Sequence, residues 1–146
     1  MSNEKMETEF SIIPSEHILK VWNNIAPLLE RLIERQGFSS LEKEFKKLAI
    51  NKSHTLWIAW NKKDFNDVVM VLQTRIYDNI LQIESCAGKD LNSWMDCYLE
   101  HCETLAQYGR DNNCKKSLIF NGRKGWSKIL SKINMKVTGY SYEKEL

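Results

Sequence analysis

The sequence predicts a single α/β domain of the α+β type, with a mixed central sheet that starts as an antiparallel meander, continues through a βαβ unit and carries flanking helices. Three observations predict it. Apolar residues recur at helical spacing before residue 50 and again over 91–106. Between those stretches, residues 56–86 break into three short apolar runs with short connections, the mark of consecutive antiparallel strands. The third run leads into a long helical pattern and then another short apolar run, an order that builds a right-handed parallel crossover.

Taken in order, residues 1–11 read as a loose polar tail, leaving 12–146 as one domain. Pro14 and Ser15 open the first helix, with Ser15 placed to cap it. Ile18, Val21, Trp22, Ile25, Leu28, Leu29, Leu32 and Ile33 form its apolar stripe. Pro27 lacks an N–H and is expected to kink or split that helix, and Gly37 suits its C-terminal cap. Ser39-Ser40-Leu41-Glu42 reads as a capping box for a short second helix ending near Ile50.

Leu56 to Trp60 then alternates as a strand, and Asn61 to Asp67 is expected to be a polar turn. Val68 to Leu72 is a solid apolar run, as for a strand covered on both faces. Asp78-Asn79 turns the chain, and Ile80 to Cys86 returns. Asp90 is placed to cap the long helix, whose stripe is Leu91, Trp94, Met95, Tyr98, Leu99, Cys102, Leu105 and Ala106. Asn112-Asn113 ends it, Ser117 to Phe120 is a short strand, a last short helix spans about Arg123 to Ile133, and a final strand runs from about Met135 to Tyr142.

Composition excludes several classes. The 146 residues are 42% hydrophobic and 27% charged, which is globular rather than disordered. No apolar run approaches the roughly 18 residues of a membrane helix. The opening MSNEKMETEF is polar and acidic, unlike a signal or transit peptide, so a cytoplasmic location is expected. Cys86, Cys97, Cys102 and Cys114 form no C-x-x-C pair and have no histidine at zinc spacing, so reduced, mostly buried thiols and no metal site are expected. No P-loop, dinucleotide fingerprint, H-E-x-x-H or G-x-S-x-G occurs.

The net charge of +2 decides little, but its distribution is uneven. From Arg110 to Lys136 eight cationic residues stand against Asp111 alone, which is either a solvated lysine-rich face or a surface for phosphate groups. Within it, Gly122-Arg123-Lys124-Gly125-Trp126 is the most distinctive stretch. Its glycines suit a tight strand-to-helix turn, its basic pair could hold a phosphate, and Trp126 either joins the buried helix face or stacks on a base. A nucleic-acid-binding module built on this region has no recognised binding motif to support it.

The element order, together with Ala87-Gly88-Lys89-Asp90-Leu91-Asn92-Ser93-Trp94, Asn113-Cys114-Lys115 and Gly122-Arg123-Lys124-Gly125-Trp126, resembles the GNAT-type N-acetyltransferases, and within them small proteins encoded by bacteriophages. The resemblance covers residues 15 to 146 as a pattern and is sharpest from Ile80 onward. It implies a GNAT-like fold in which the strand before the long helix splays from its neighbour and receives acetyl-CoA as cosubstrate. Ile83, Ser85 and Cys86 would lie beside the pantetheine, Gly88 and Lys89 near the pyrophosphate, and Arg123 at a second phosphate-binding turn. Glu84 would act as general base and Tyr140 as general acid, with a small-molecule or protein amine as acceptor.

Two positions depart from the family pattern. Asp90 stands where a second small residue usually lets the backbone approach the pyrophosphate, and Leu130 falls where a tyrosine usually protonates the leaving thiolate; leucine has no proton to give. Tyr140 or Tyr142 would replace that tyrosine only if its strand passes the site. Alternation alone leaves open whether Glu84 faces the cleft or solvent. His54 and His101 are further, weaker candidates for the base, with His101 expected to serve packing on the long helix. The reading is therefore an acetyl-CoA-dependent N-acetyltransferase; the alternative is a catalytically inactive GNAT-shaped phage protein acting in assembly or host interaction, in the host cytoplasm or the virion, with a phage or host protein as partner.

Overall fold

A computed structural model of the chain describes residues 6–37, 39–119, 130–133 and 135–136. Five strands form one sheet in the order β1 (Thr8–Ile13), β2 (Thr55–Asn61), β3 (Asp64–Tyr77), β4 (Ile80–Gly88) and β5 (Lys116–Ile119). The first four are antiparallel, and β5 runs parallel to β4 after the long helix α3 (Leu91–Asp111). Helices α1 (Ile18–Gln36) and α2 (Leu41–Phe45), the latter continued by a wide turn over Lys46–Ile50, lie between β1 and β2. The mixed sheet, meander, βαβ unit and flanking helices match the expected class. Among the described residues no helix is long and apolar enough to cross a membrane.

The sheet separates two cores. On one side Trp57, Ala59, Leu72 and Ile83 of the sheet pack with Met95 and Tyr98 of α3, joined by Phe10 and Ile12. Phe10 stacks on Trp57 and Tyr108 meets Trp57 edge-on, each with ring centroids 5.1 Å apart. The buried Trp57 Nε1–H donates to Thr74 Oγ1 at 3.0 Å, so the ring carries no unsatisfied donor into the core. Against α1 and α2 lie Ile18, Ile25, Leu29, Leu48, Leu56, Ile58, Val71 and Ala87. Each buried leucine, isoleucine or valine among them contributes about 1.5–3 kcal/mol by leaving water.

Four expectations are corrected. The loose tail over residues 1–11 fails from Thr8 onward, because β1 pairs with β2 from Thr8↔Asn61 to Ile13↔Leu56. Phe10 and Ile12 face α3 while Glu9 and Ser11 face outward, so a strand is hidden in a polar stretch. Pro27 does not split α1: it sits on the exposed side, where the carbonyl of Asn23 can turn to water, while Ile25, Leu28 and Leu29 hold the helix from the buried side. Ser15 makes no capping bond and opens a short 3-10 turn instead. Asn61 to Asp67 is mostly strand, with only Lys62-Lys63 turning; Asp64 to Asp67 are the solvated end of a long hairpin.

Three turns follow their residue chemistry. Gly37 takes φ +76° and its N–H closes α1 on the carbonyl of Ile33 at 2.7 Å. Asp78 and Asn79, at φ 54° and 61°, form the two-residue left-handed turn that matches the twist of a hairpin. Ser40 caps α2 by accepting from the N–H of Lys43 at 3.2 Å, one position later than the box reading placed it. The last helix is described only at Leu130 and the 3-10 turn Ser131–Ile133, and the final strand falls beyond the described residues apart from Met135 and Lys136.

Candidate functional site

The site begins with an irregularity in β4. Gln73 of β3 pairs with Ser85 and Thr74 with Ile83, so Glu84 is an extra residue in the ladder, a β-bulge. Ile83 and Cys86 face the α3 core, whereas Ala87 belongs to the core under α1. Glu84, next to Ile83, points to the opposite, α1–α2 face, and the bulge brings Ser85 to that face beside it. The parallel ladder with β5 covers Ile80 to Ile83 and stops there. From Glu84 to Gly88, among the described residues, β4 has β3 on one edge only.

Glu84 is held by charged and polar partners. Its Oε1 accepts from Arg75 Nη2 at 2.9 Å, and Oε2 accepts from His54 Nε2. The other ring nitrogen of His54 lies 2.8 Å from Ser53 Oγ. His54 is nearly enclosed, its side chain 6% exposed, while Glu84 is 24% and Arg75 44% exposed. Arg75 also donates to Gln82 Oε1 at 3.3 Å and lies over the ring of Tyr77. This array can hold a carboxylate fixed in direction and open to solvent on one side.

A second carboxylate, Glu44 of α2, lies on the same face and is 5% exposed. It accepts from Gln73 Nε2 at 2.8 Å, from Ser39 Oγ at 2.7 Å and from Lys47 Nζ at 3.3 Å. Burial pushes its carboxyl pKa up, but those three donors outweigh burial and hold it below the ordinary range. Glu44 thus ties α2 to β3 at Gln73, the residue opposite Ser85.

The remaining predicted residues fall as follows. Ile83 is buried against α3, Cys86 is half-buried on that same face, and Ser85 lies on the face of Gln73. Gly88 ends β4 opposite Met70. Lys89 N–H donates to the carbonyl of Val69 at 2.9 Å, and its ammonium pairs with Asp67 at 2.8 Å, a bond that raises the lysine pKa and lowers that of Asp67. Both terminal nitrogens of Arg31 approach the Lys89 carbonyl at 3.5 Å. Asp90 directly precedes α3. Arg123, Tyr140 and Trp126 lie outside the described residues, as does Tyr142.

Leu130 is buried in the α3-side core. Tyr98 is buried in that same core; its hydroxyl faces Met135 Sδ at 3.9 Å, and burial, with Cys86 and Cys102 near, pushes its pKa well up. His101 does not join Glu84. It sits across the sheet, stacked on Phe10 and 2.8 Å from Thr8 Oγ1, where burial lowers its pKa. Arg75 and Ser53 were not legible as site residues: they come to Glu84 only through strand pairing and the turn before β2. Among the described residues no cluster of metal-binding side chains occurs.

No protein-family model and no curated protein matches this sequence. Solved structures do match over nearly the whole chain. A ribosomal-protein-alanine N-acetyltransferase from Brucella melitensis biovar Abortus superposes with a TM-score of 0.68 at 9% identity, covering 96% of this chain and 99% of that one. Glucosamine-6-phosphate N-acetyltransferase from Arabidopsis thaliana gives 0.67 at 11% identity, covering 95% and 98%. The fold is GNAT-like. An aminoglycoside acetyltransferase from an uncultured soil metagenomic sample, solved with sisomicin, gives 0.61 at 13% identity over 94% and 97%. At these identities the GNAT likeness concerns the fold, and the chemistry must be argued from the side chains.

Proposed function

We propose that this GNAT-like chain is an acetyl-CoA-dependent N-acetyltransferase with Glu84 as its base. The observation that supports it most is the coincidence at Glu84 of the bulge and the end of the β4–β5 ladder. Backbone from Glu84 to Gly88 then offers its edge to pantetheine, and the bulged carboxylate faces the side from which an amine would come. The three superposed acetyltransferases are named for aminoglycoside, glucosamine-6-phosphate and protein alanine acceptors, all of them amines.

Acetyl-CoA supplies an activated acyl group as its thioester. The chain's own residues would do the rest. Glu84 takes one proton from the acceptor ammonium, so that the nitrogen lone pair can attack, and Arg75 and His54 keep the carboxylate aimed. The half-exposed Arg75 also leaves a cation beside the acceptor. Tyr140 and Arg123 are kept as the proposed acid and phosphate ligand on sequence grounds. Gly88 offers a small residue for the pyrophosphate, whereas the Lys89 ammonium is already committed to Asp67.

That commitment of Lys89, with Leu130 buried, favours the second reading, an inactive GNAT-shaped protein, to the extent that it weakens the phosphate end of the site. Release of free thiol from acetyl-CoA separates the two. Against a panel of aminosugars, polyamines and peptide N-termini, the first reading predicts acceptor-dependent thiol release that Glu84→Gln reduces. Release that never exceeds the no-acceptor rate, across the panel, would leave the second.

A further inference from the structure

Ser53 and His54 precede β2 in sequence, yet they meet Glu84 of β4 as a chain of three polar groups. A carboxylate carries no proton to give, so the hydrogen between Glu84 and His54 belongs to Nε2. In the neutral ring Nδ1 must then accept, and Ser53 Oγ is the group in reach, at 2.8 Å. The alternative acceptor for that hydroxyl, the carbonyl of Lys47, is more distant at 3.4 Å. Glu84 therefore selects the imidazole tautomer whose N–H is aimed at it, and the Ser53 hydroxyl serves that tautomer by donating to Nδ1.

The backbone holds this pair rigidly. The N–H groups of Ser53 and His54 both donate to the carbonyl of Lys47, at 3.0 and 3.4 Å, beneath the turn that follows α2. Enclosure of His54 removes water as a competitor for Nε2.

We propose that Ser53 and His54 are positioning residues for Glu84: Ser53 holds the orientation of the His54 ring by donating to Nδ1, and His54 fixes the direction of the carboxylate so that its remaining lone pairs face the acceptor. Arg75 holds the other oxygen, and between them the two donors leave the carboxylate little freedom about its last torsion. This role rests on the reading of Glu84 as the base, but its structural half can be tested without acetyl transfer.

Two readouts test it. In the full chain, nitrogen-15 NMR of the histidine rings is expected to give His54 the Nε2–H tautomer, with the Nδ1 resonance shifting in Ser53→Ala as its hydrogen bond is lost. An Nδ1–H tautomer in the native chain, or an unchanged Nδ1 resonance in Ser53→Ala, would overturn the assignment whether or not the protein is an enzyme. In the thiol-release assay His54→Ala is expected to lower kcat at least tenfold with the KM for acetyl-CoA within about twofold, and His54→Gln, whose amide can still donate to Glu84, to recover most of it. A His54→Ala enzyme with native kcat would overturn the positioning role. If thiol release is absent in the native chain, the transferase reading fails while the tautomer result stands or falls by itself.

Discussion

Glu44 and Glu84 lie on one face of one sheet and are built in opposite ways. Glu44 is almost fully enclosed and holds two neutral donors and one lysine, joining α2 to β3. Glu84 is partly open and holds an arginine and a histidine at a bulge where the strand ladder ends. An enclosed carboxylate with its donors satisfied has nothing left to offer a ligand, and removing it strands buried partners. A carboxylate with one open side, fixed by charged neighbours, can meet a cationic amine. The contrast teaches that burial and free lone pairs, rather than residue type, divide a structural acid from a functional one.

Substitutions should separate the two. Glu84→Gln is expected to lower kcat by about 10²–10⁴ while leaving the thermal midpoint nearly unchanged, since base catalysis is worth about that factor. Parallel loss of activity and melting temperature would make Glu84 a second structural node. Glu44→Ala should do the reverse, costing about 1–3 kcal/mol in a denaturant titration because Gln73 and Ser39 lose a buried acceptor. Phe10→Ala sharpens a different point: if Thr8–Ile13 is a strand stacked on Trp57, it costs about 2 kcal/mol, whereas a loose tail would cost nothing.

The acid response follows from Glu44. Its carboxyl titrates below the range of the unfolded chain, so it contributes stability that is present above about pH 4.3 and is lost as the pH falls through the lower folded value. Glu44→Gln should flatten that part of a stability–pH curve, and an unaltered acid limb would assign the loss to other groups. The smallest effect is expected of Lys89→Ala. With its ammonium on Asp67, its removal should change the dissociation constant for acetyl-CoA by less than about threefold; a tenfold loss would return Lys89 to the phosphate site.

Local signals in the sequence carried the elements they encode. Leu91 to Ala106 announced α3 by period, Gly37 its helix end, and Asp78-Asn79 a hairpin by the left-handed backbone those residues tolerate. What failed was composition used as a proxy for geometry. Glu9 and Ser11 disguised β1, and Asn61 to Asp67 read as a turn because the outer part of a hairpin is solvated on both faces. Pro27 was overweighted because its lost bond lies on the wet side of α1.

The site was legible only in part. Glu84 emerged from the family pattern, but its bulge needs a residue count on two strands, which no single segment contains. His54 and Arg75 stand 30 and nine positions away from Glu84 in sequence, and nothing local marks them as its partners.

The central claim is that the edge of β4 from Glu84 to Gly88 is where acetyl-CoA lies. Amide NMR of the full chain titrated with acetyl-CoA addresses it directly. The expected result is saturable, micromolar binding with the largest shifts at residues 84–88. Shifts confined to other surfaces, or none at millimolar ligand, would contradict it.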